Sequence, residues 1–349
     1  MMNENKFQTN QPLPDLTPDL FEQAEVTEMQ DNEKISAPSL SFMQDSWRRL
    51  KKNKVAMVSL FLLILITLLS VFAPVIAPHN PNVQTIQHAN LPPKIPGLDI
   101  NGLNGTVDQN GTRIDQYAQR NVPEDTYYFL GTDSLGRDLL SRILYGTRVS
   151  LFIAFVAALL NLTIGVTYGL ISGFAGGKVD NVMQRILEVL SGVPNLVVVI
   201  LMLLVLDPGI WSIIIALALT EWISMARIIR AQTLKLKNQE YVLAAKTLGQ
   251  SPLRIAFGHI MPNLLGVIII QVMFSIPSAI FFEAFLSFIG IGIPAPNASL
   301  GTLINDGYKT FRFLPHLMWY PSAVMSIVMV SFNLLADGLR DAFDPKLRD

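Results

Sequence analysis

The sequence contains no cysteine and few charged residues. Of 349 residues none is Cys, and 15% are Asp, Glu, Lys or Arg, whereas soluble domains average about 25% charged residues. The absence of cysteine excludes a disulfide framework, a thiolate nucleophile and a cysteine-type zinc site. Because 26 Lys and Arg nearly balance 27 Asp and Glu, the chain also lacks the basic surplus typical of nucleic-acid-binding proteins.

Long stretches of the chain carry no charge at all. About 20 apolar residues in a helix cross the ~30 Å hydrocarbon core of a bilayer, whereas buried helices of soluble proteins usually give apolar runs of about 10–14 residues. The pattern therefore predicts an all-α integral membrane protein with six transmembrane helices. The uncharged runs cover residues 55–77, 149–177, 189–206, 260–282 and 317–336. A sixth candidate, 208–225, contains one charged residue, Glu221.

The charge distribution predicts the orientation. Residues 1–46 form an acidic, Pro-containing tail that is expected to be disordered, and residues 47–54 carry five cations directly before the first span. Threading six spans from this point places twice as many Lys and Arg on the side of the N-terminus as on the other side. Since membrane proteins retain cations in the cytoplasm, both termini are predicted to be cytoplasmic.

The segment between the first two spans is expected to lie outside the cell. Residues 79–129 are rich in Pro, Gly, Asn and Asp, which predicts an irregular loop. Residues 135–144 show apolar positions at helical spacing and leave Arg142 on the polar side. We therefore expect an amphipathic helix at the outer interface, with Asp133 or Ser134 as its N-cap.

The most informative stretch is the inner loop between the fourth and fifth spans, residues 239–263. Residues 241–248 have helical spacing, Gly249 suits a left-handed helix end, and Ser251-Pro252 can start a second helix. The loop is predicted to form a helix–glycine–helix elbow in the cytoplasm. Its apolar face is expected to be buried against a soluble partner. That face comprises Val242, Leu243, Leu248, Ile255 and Phe257.

At these residues the sequence resembles the permease subunits of type I ABC importers, specifically the oligopeptide and dipeptide OppC/DppC type. The elbow is similar to the family's EAA loop, although Leu243 stands where the pattern has Glu. The spaced positions that match are Ala244, Ala245, Gly249 and Pro262. Four further stretches match this type: the basic entry to the first span (47–54), 130–142, 285–292 and 333–348.

The resemblance implies a type I importer permease (MetI-like) fold with a cytoplasmic EAA coupling elbow. It implies a bacterial plasma membrane protein that transports oligopeptides together with a homologous OppB-type permease, two OppD/OppF-type ATPases and an OppA-type binding lipoprotein. Dipeptides or nickel chelates are the alternative substrates. The implied ATPase-docking residues are Glu240, Leu243, Ala244, Ala245, Gly249, Pro252 and Pro262.

The same resemblance implies a non-catalytic subunit, with ATP and Mg held by the partner ATPases. The chain's own Gly176-Gly177-Lys178 is not a P-loop, because the following Ser or Thr and the upstream Gly are missing. Its four His are far apart, so no metal site is predicted. The organisation expected is a tail (1–46), a basic segment with the first helix (47–78), an external loop (79–146), a five-helix core (147–338) and a tail (339–349).

Two acidic residues within or bordering the spans, Glu221 and Glu283, are candidates for the pathway, because an acid inside a membrane is costly and commonly functional. For Glu221 the alternative is neutralisation by Arg227, and for Glu283 it is a structural hydrogen bond. Two other classes of protein predict features that differ from those of this sequence. A secondary transporter predicts inverted repeats, which are not found, and a receptor predicts a soluble signalling module, for which neither tail is long enough.

Overall fold

The computed structural model describes residues 42–109 and 112–344. Residues from Ser46 onward form a single unit. Most of the predicted disordered tail, residues 1–41, lies outside the described residues, as do the pair Asn110-Gly111 and the last five residues of the predicted C-terminal tail.

The first span is preceded by a short amphipathic helix. α1 (Phe42–Lys52) is followed by α2 (Lys54–Val71) and by one further turn, α3 (Ala73–Ile76). Asn53 separates α1 from α2, and its side-chain oxygen accepts a hydrogen bond from the backbone N of Ala56 at 3.1 Å. This cap begins a new helix directly after the cations of α1.

The segment between the first two spans is folded, contrary to the prediction of an irregular loop. A 3₁₀ turn (Ile86–His88) precedes β1 (Thr106–Gln109) and β2 (Thr112–Asp115), which pair antiparallel, and α4 (Gln116–Gln119) follows. The Tyr117 hydroxyl donates to the carbonyl of Pro92 at 2.9 Å, and burial raises the pKa of this tyrosine, so it remains a donor. A small apolar cluster holds the segment together; its members are Leu91, Tyr117, Val122 and Tyr128.

The second span is one long helix, α5 (Leu139–Ala175), and the predicted interfacial helix at 135–144 is wrong. Asp138 caps α5 by accepting a hydrogen bond from the backbone N of Ser141 at 2.9 Å, so neither Asp133 nor Ser134 is the cap. At about 1.5 Å per residue a helix of 37 residues exceeds the ~30 Å bilayer core, so part of α5 projects beyond it.

The third span is broken. α6 (Gly177–Ser191) and α7 (Asn195–Val205) meet at an angle of 76°, and Pro194, which has no N–H to donate, lies at the break. Residues 206–209 then connect α7 to α8 (Ile210–Thr220), and α9 (Trp222–Leu236) continues after Glu221.

The remaining chain forms the elbow and the last two spans. The elements are α10 (Glu240–Thr247), α11 (Pro252–Ile255), a π-helical turn (Ala256–Ile260), α12 (Met261–Phe288), α13 (Leu300–Lys309) and α14 (His316–Phe343). Five helices of the described chain are long and apolar enough to cross a membrane, and the bent α6–α7 pair brings the number to six. The six-span, all-α prediction is therefore confirmed if the bent pair is counted as one span.

Candidate functional site

The elbow turns at Gly249. Its φ of +77° lies in the left-handed region, which glycine adopts without the steric cost that a Cβ imposes. The backbone N of Gly249 donates to the carbonyl of Lys246 at 3.0 Å, and that of Gln250 donates to Ala245 at 3.1 Å. This pair of bonds is a Schellman motif, so the predicted helix end at Gly249 is confirmed.

The second arm of the elbow starts where the sequence predicts. The Ser251 side chain accepts from the backbone N of Arg254 at 3.4 Å, and Pro252 occupies the first turn of α11. Nε2 of His259, in the π-helical turn, lies 2.8 Å from Oε1 of Gln250. This side-chain hydrogen bond ties the turn of the elbow to its second arm.

One face of the elbow is buried within this chain. Val242 and Ile255 are almost fully buried, and they pack with Leu170 of α5 and Ile229 of α9. The prediction that these two residues are covered by a soluble partner is wrong, because the C-terminal half of α5 and helix α9 already cover them. Ala245 is buried in the same cluster.

The elbow also carries exposed apolar side chains. Leu248 is 80% exposed and Leu253 67% exposed. Single exposed leucines are ordinary, but several large exposed apolar side chains within one short segment indicate an interaction surface. We call these residues the elbow patch: Tyr241, Leu243, Leu248, Leu253 and Phe257. Of the other docking residues, Glu240, Ala244, Gly249, Pro252 and Pro262 are also exposed.

The elbow is mounted on a tight contact between α5 and α9. A Cβ added at Gly169 would lie 2.4 Å from the carbonyl oxygen of Ala226, and one added at Gly165 would lie 2.7 Å from Met225. Gly173 makes the next contact of the same kind, with Thr233. Glycines at every fourth position let the two backbones approach closely, as in other membrane helix pairs.

Hydrogen bonds and an ion pair also join α6 to α5 and α9. Asp180 accepts two hydrogen bonds from Arg230 of α9, Nε to Oδ1 at 2.6 Å and Nη2 to Oδ2 at 2.7 Å. Ser172 of α5 donates to Asp180 at 2.5 Å, and Lys237 donates to the carbonyl of Gly173 at 3.0 Å. A bidentate Arg–carboxylate pair has fixed geometry, so it holds the three helices in register.

Glu283 lies at a junction of three segments and is fully buried. Ser150 of α5 and Ser287 of α12 each donate to its carboxylate at 2.8 Å. Ser150 in turn accepts from the backbone N of Leu300 at 3.2 Å, which fixes the start of α13. These bonds agree with the structural reading of Glu283.

Glu221 lies at the junction of α8 and α9 and is half-buried. The expected neutralisation by Arg227 is wrong within the described chain, because Nη2 of Arg227 donates instead to Oγ of Ser191 at 2.7 Å. The two acids therefore have different surroundings. Glu283 is enclosed by hydroxyl donors, whereas Glu221 is partly exposed.

A second polar cluster lies at the other end of the molecule. Nη1 of Arg142 is 2.5 Å from Oδ2 of Asp133, and Nε of Arg137 is 2.7 Å from the same oxygen. Asp306 of α13 lies 3.7 Å from Arg142. The two arginines and Asp133 are almost fully buried, so the side of this stretch expected to be polar and exposed is instead an ion-pair network.

The comparison with known proteins assigns a family. The profile of "Binding-protein-dependent transport system inner membrane component" matches residues 165–349, which is more than half of the chain. The chain belongs to this family. A second profile, "N-terminal TM domain of oligopeptide transport permease C", matches residues 41–93 of the permease.

Curated relatives cover nearly the whole permease. It is 48% identical to the dipeptide transport system permease protein DppC of Lactococcus lactis subsp. cremoris (strain MG1363), over 90% of this chain and 93% of that one. It is 43% identical to the oligopeptide transport system permease protein OppC of Bacillus subtilis (strain 168), over 91% and 94%. A solved MetNI methionine ABC transporter aligns with a TM-score of 0.49 at 16% identity, covering 59% of this chain and 98% of that chain.

Neither the close contact between α5 and α9 nor the ion-pair network was predicted from the sequence. The glycines at positions 165, 169 and 173 did carry a signal, because their spacing of four places them on one face of a helix. The ion-pair network carried none, since nothing in the sequence pairs Asp306 with an arginine more than 160 positions away.

Proposed function

We propose that this permease is a non-catalytic subunit of an ATP-driven importer of peptides in a bacterial plasma membrane, with both termini in the cytoplasm. It forms the transmembrane pathway with a homologous second permease, while an external binding lipoprotein delivers the substrate. Two cytoplasmic ATPases hold ATP and Mg, and this chain binds no cofactor of its own. The family and the peptide permeases among its relatives support this proposal.

The observation that carries the proposal is the elbow patch together with the close packing of the elbow on α5 and α9. An apolar face that is 80% exposed at Leu248 needs a covering protein, and the buried face packs directly on α5 and α9. A force applied to the elbow patch by a partner would therefore move α5 and α9 together with the elbow. Rigid-body movement of this kind is one way in which proteins transmit a conformational change. A solvated loop would need neither feature.

Within the elbow the proposed docking residues have two roles. Glu240, Leu243, Ala244, Pro252 and Pro262 are exposed and available for contact with an ATPase. Ala245 instead anchors the helix inward, and Gly249 sets the angle between the arms. Leu243 occupies the position where the resemblance leads one to expect Glu, so this contact is apolar rather than ionic.

For the pathway we propose Glu221 ahead of Glu283. Glu221 has partly open surface at a helix junction, whereas the carboxylate of Glu283 is enclosed by serine hydroxyls. The substrate is proposed to be oligopeptide, with dipeptides or nickel chelates as the alternative. Relatives named for dipeptide and for oligopeptide transport have similar identities to this chain, so the choice within peptides needs direct measurement.

The test is purification of the tagged chain from its own host in mild detergent. We expect a second six-span permease and two ATPases to co-purify, and ATP hydrolysis to rise when a peptide-loaded binding protein is added. A variant with Leu248→Asp and Leu253→Asp should lose the ATPases but retain the second permease. Recovery of the chain alone in several detergents, without hydrolysis, would contradict the proposal.

A further inference from the structure

A groove runs between α2 and α14 on the membrane-embedded surface of the chain. Its volume is about 500 Å³, within the range of roughly 300–1,000 Å³ that small-molecule sites occupy. Val58 and Leu62 line the α2 side, and Ile327, Val330 and Leu334 line the α14 side. Ser59, Ser326 and Ser331 also line the groove, but the surface that its walls expose is almost entirely apolar, so water is a poor occupant.

One charged side chain, Lys54, lines this groove. The residues of α2 that line it span Lys54 to Leu62, which is about 12 Å at 1.5 Å per residue. One leaflet contributes roughly half of the ~30 Å hydrocarbon core. The groove therefore extends from a cationic end, through one leaflet, over a length that suits a single acyl chain.

More cations lie beside that end. Arg48, Lys51 and Lys52 of α1 are exposed, and the ammonium of Lys51 lies 5.4 Å from the centre of the Trp47 ring. Asp337, near the end of α14, pairs with Arg340 at 3.7 Å. Clusters of Lys and Arg directly cytoplasmic of a membrane helix attract anionic lipids, and tryptophan favours the headgroup level.

We propose that this groove binds an anionic phospholipid of the inner leaflet, with its phosphate at Lys54 and one acyl chain along Val58, Leu62 and Val330. The assignment to the inner leaflet rests on the orientation given with the proposed function. The binding itself does not depend on transport, so loss of transport and loss of lipid binding are separable results.

The test uses the purified complex in vesicles of equal phosphatidylglycerol and phosphatidylcholine, each supplied in turn with a photoactivatable acyl chain. We expect phosphatidylglycerol to label residues 55–62 and 326–334, and phosphatidylcholine to label them several-fold less. Lys54→Gln should reduce labelling by phosphatidylglycerol about fivefold, the effect of one interfacial cation. Val330→Phe, which fills the groove, should abolish it.

Two controls accompany these variants. Lys178→Gln removes an exposed cation of α6, and Leu204→Phe enlarges an exposed apolar residue of α7; neither residue lines the groove. Both should label as the unmodified protein does. Equal labelling by the two lipids, or no effect of Lys54→Gln, would overturn the proposal. A photoreactive amino acid placed at position 330 tests the other occupant. If it cross-links to a helix of another protein chain, and both lipids fail to label the groove, the groove is a protein interface and the proposal is overturned as well.

Discussion

Gly249 combines an unusual backbone conformation with an exposed position. With φ at +77°, a side chain here costs roughly 1–2 kcal/mol, although no atom lies within 4 Å of the site of a Cβ. We expect Gly249→Trp to insert into the membrane normally and to abolish peptide uptake, because both the bend and the surface beside the elbow patch change. Uptake of labelled peptide by cells with equal amounts of each protein in their membranes measures this.

The matched control is Gly209→Trp. Gly209 also has open space around it, but its φ of 171° is extended backbone that any residue adopts, and it lies in the turn between α7 and α8. This variant should retain uptake. Normal uptake by Gly249→Trp would remove the elbow from the transport mechanism.

Glu283 gives a second prediction at the level of one side chain. In Glu283→Gln the amide can still meet the hydroxyls of Ser150 and Ser287, so the relative uptake of cationic and anionic peptides should stay unchanged. Glu283→Ala leaves both hydroxyls without this acceptor and should lower the free energy of unfolding by about 1–3 kcal/mol. Thermal unfolding of the purified chain measures the second effect.

Glu221→Gln is the comparison for substrate preference. If Glu221 lines the pathway as proposed, this variant should change the ratio of cationic to anionic peptide uptake. A change of that ratio in Glu283→Gln, with none in Glu221→Gln, would reverse the two assignments.

At the level of elements, the contact between α5 and α9 determines how firmly the elbow is held. A Cβ at Gly169 would lie 2.4 Å from a backbone oxygen, which cannot move aside as a flexible side chain can. Gly169→Ala should therefore separate the helices and destabilise the protein by about 1–3 kcal/mol, the usual range for overpacking. The thermal midpoint of the purified complex, and its ATP hydrolysis with loaded binding protein, should both fall.

Gly258→Ala serves as the control for this substitution. Gly258 is also helical, in the π turn, but nothing lies within 4 Å of its added Cβ. Alanine should be neutral or slightly stabilising at that position. Equal effects of the two substitutions would mean that helix propensity, rather than the close approach of α5 and α9, decides the outcome.

The elements also show how far sequence reasoning reaches. The spans could be predicted because absence of charge is a property of each segment by itself, and the elbow because Gly249 and Ser251-Pro252 are local signals. The start of α5 could not, because Asp133 in the preceding turn pairs with arginines instead of capping a helix. Segment-level periodicity cannot distinguish a polar face that meets water from one that meets a buried partner.

At the scale of the whole molecule, the same limit applies to the candidate site. The sequence predicted one apolar face for the elbow, but the structure divides it into Val242 and Ile255, which meet α5 and α9, and the exposed elbow patch. Which residues turn inward depends on helices that are distant in sequence. Local spacing identifies the face, whereas only packing shows which part of it is left for a partner.

The ion-pair network joins parts of the molecule that are distant in sequence, since Asp133 precedes α5 and Asp306 belongs to α13. Arg142→Met retains an apolar side chain of similar length but leaves buried Asp133 with one cation fewer. Breaking a buried pair in this way typically costs about 3–5 kcal/mol. We expect a large loss of folded chain on size exclusion and a lower thermal midpoint.

Asp306→Asn should have a much smaller effect, under about 1 kcal/mol, because Asp306 is 44% exposed and its distance to Arg142 is 3.7 Å. Arg340→Ala, which removes an exposed pair with Asp337 at the same distance of 3.7 Å together with the contact of Arg340 over the Phe274 ring, sets an upper bound for a surface pair. If Arg142→Met were as mild as Arg340→Ala, burial would add nothing to this network. The attachment of α13 to the start of α5 would then depend on apolar packing alone, around Leu139, Leu303 and Leu317.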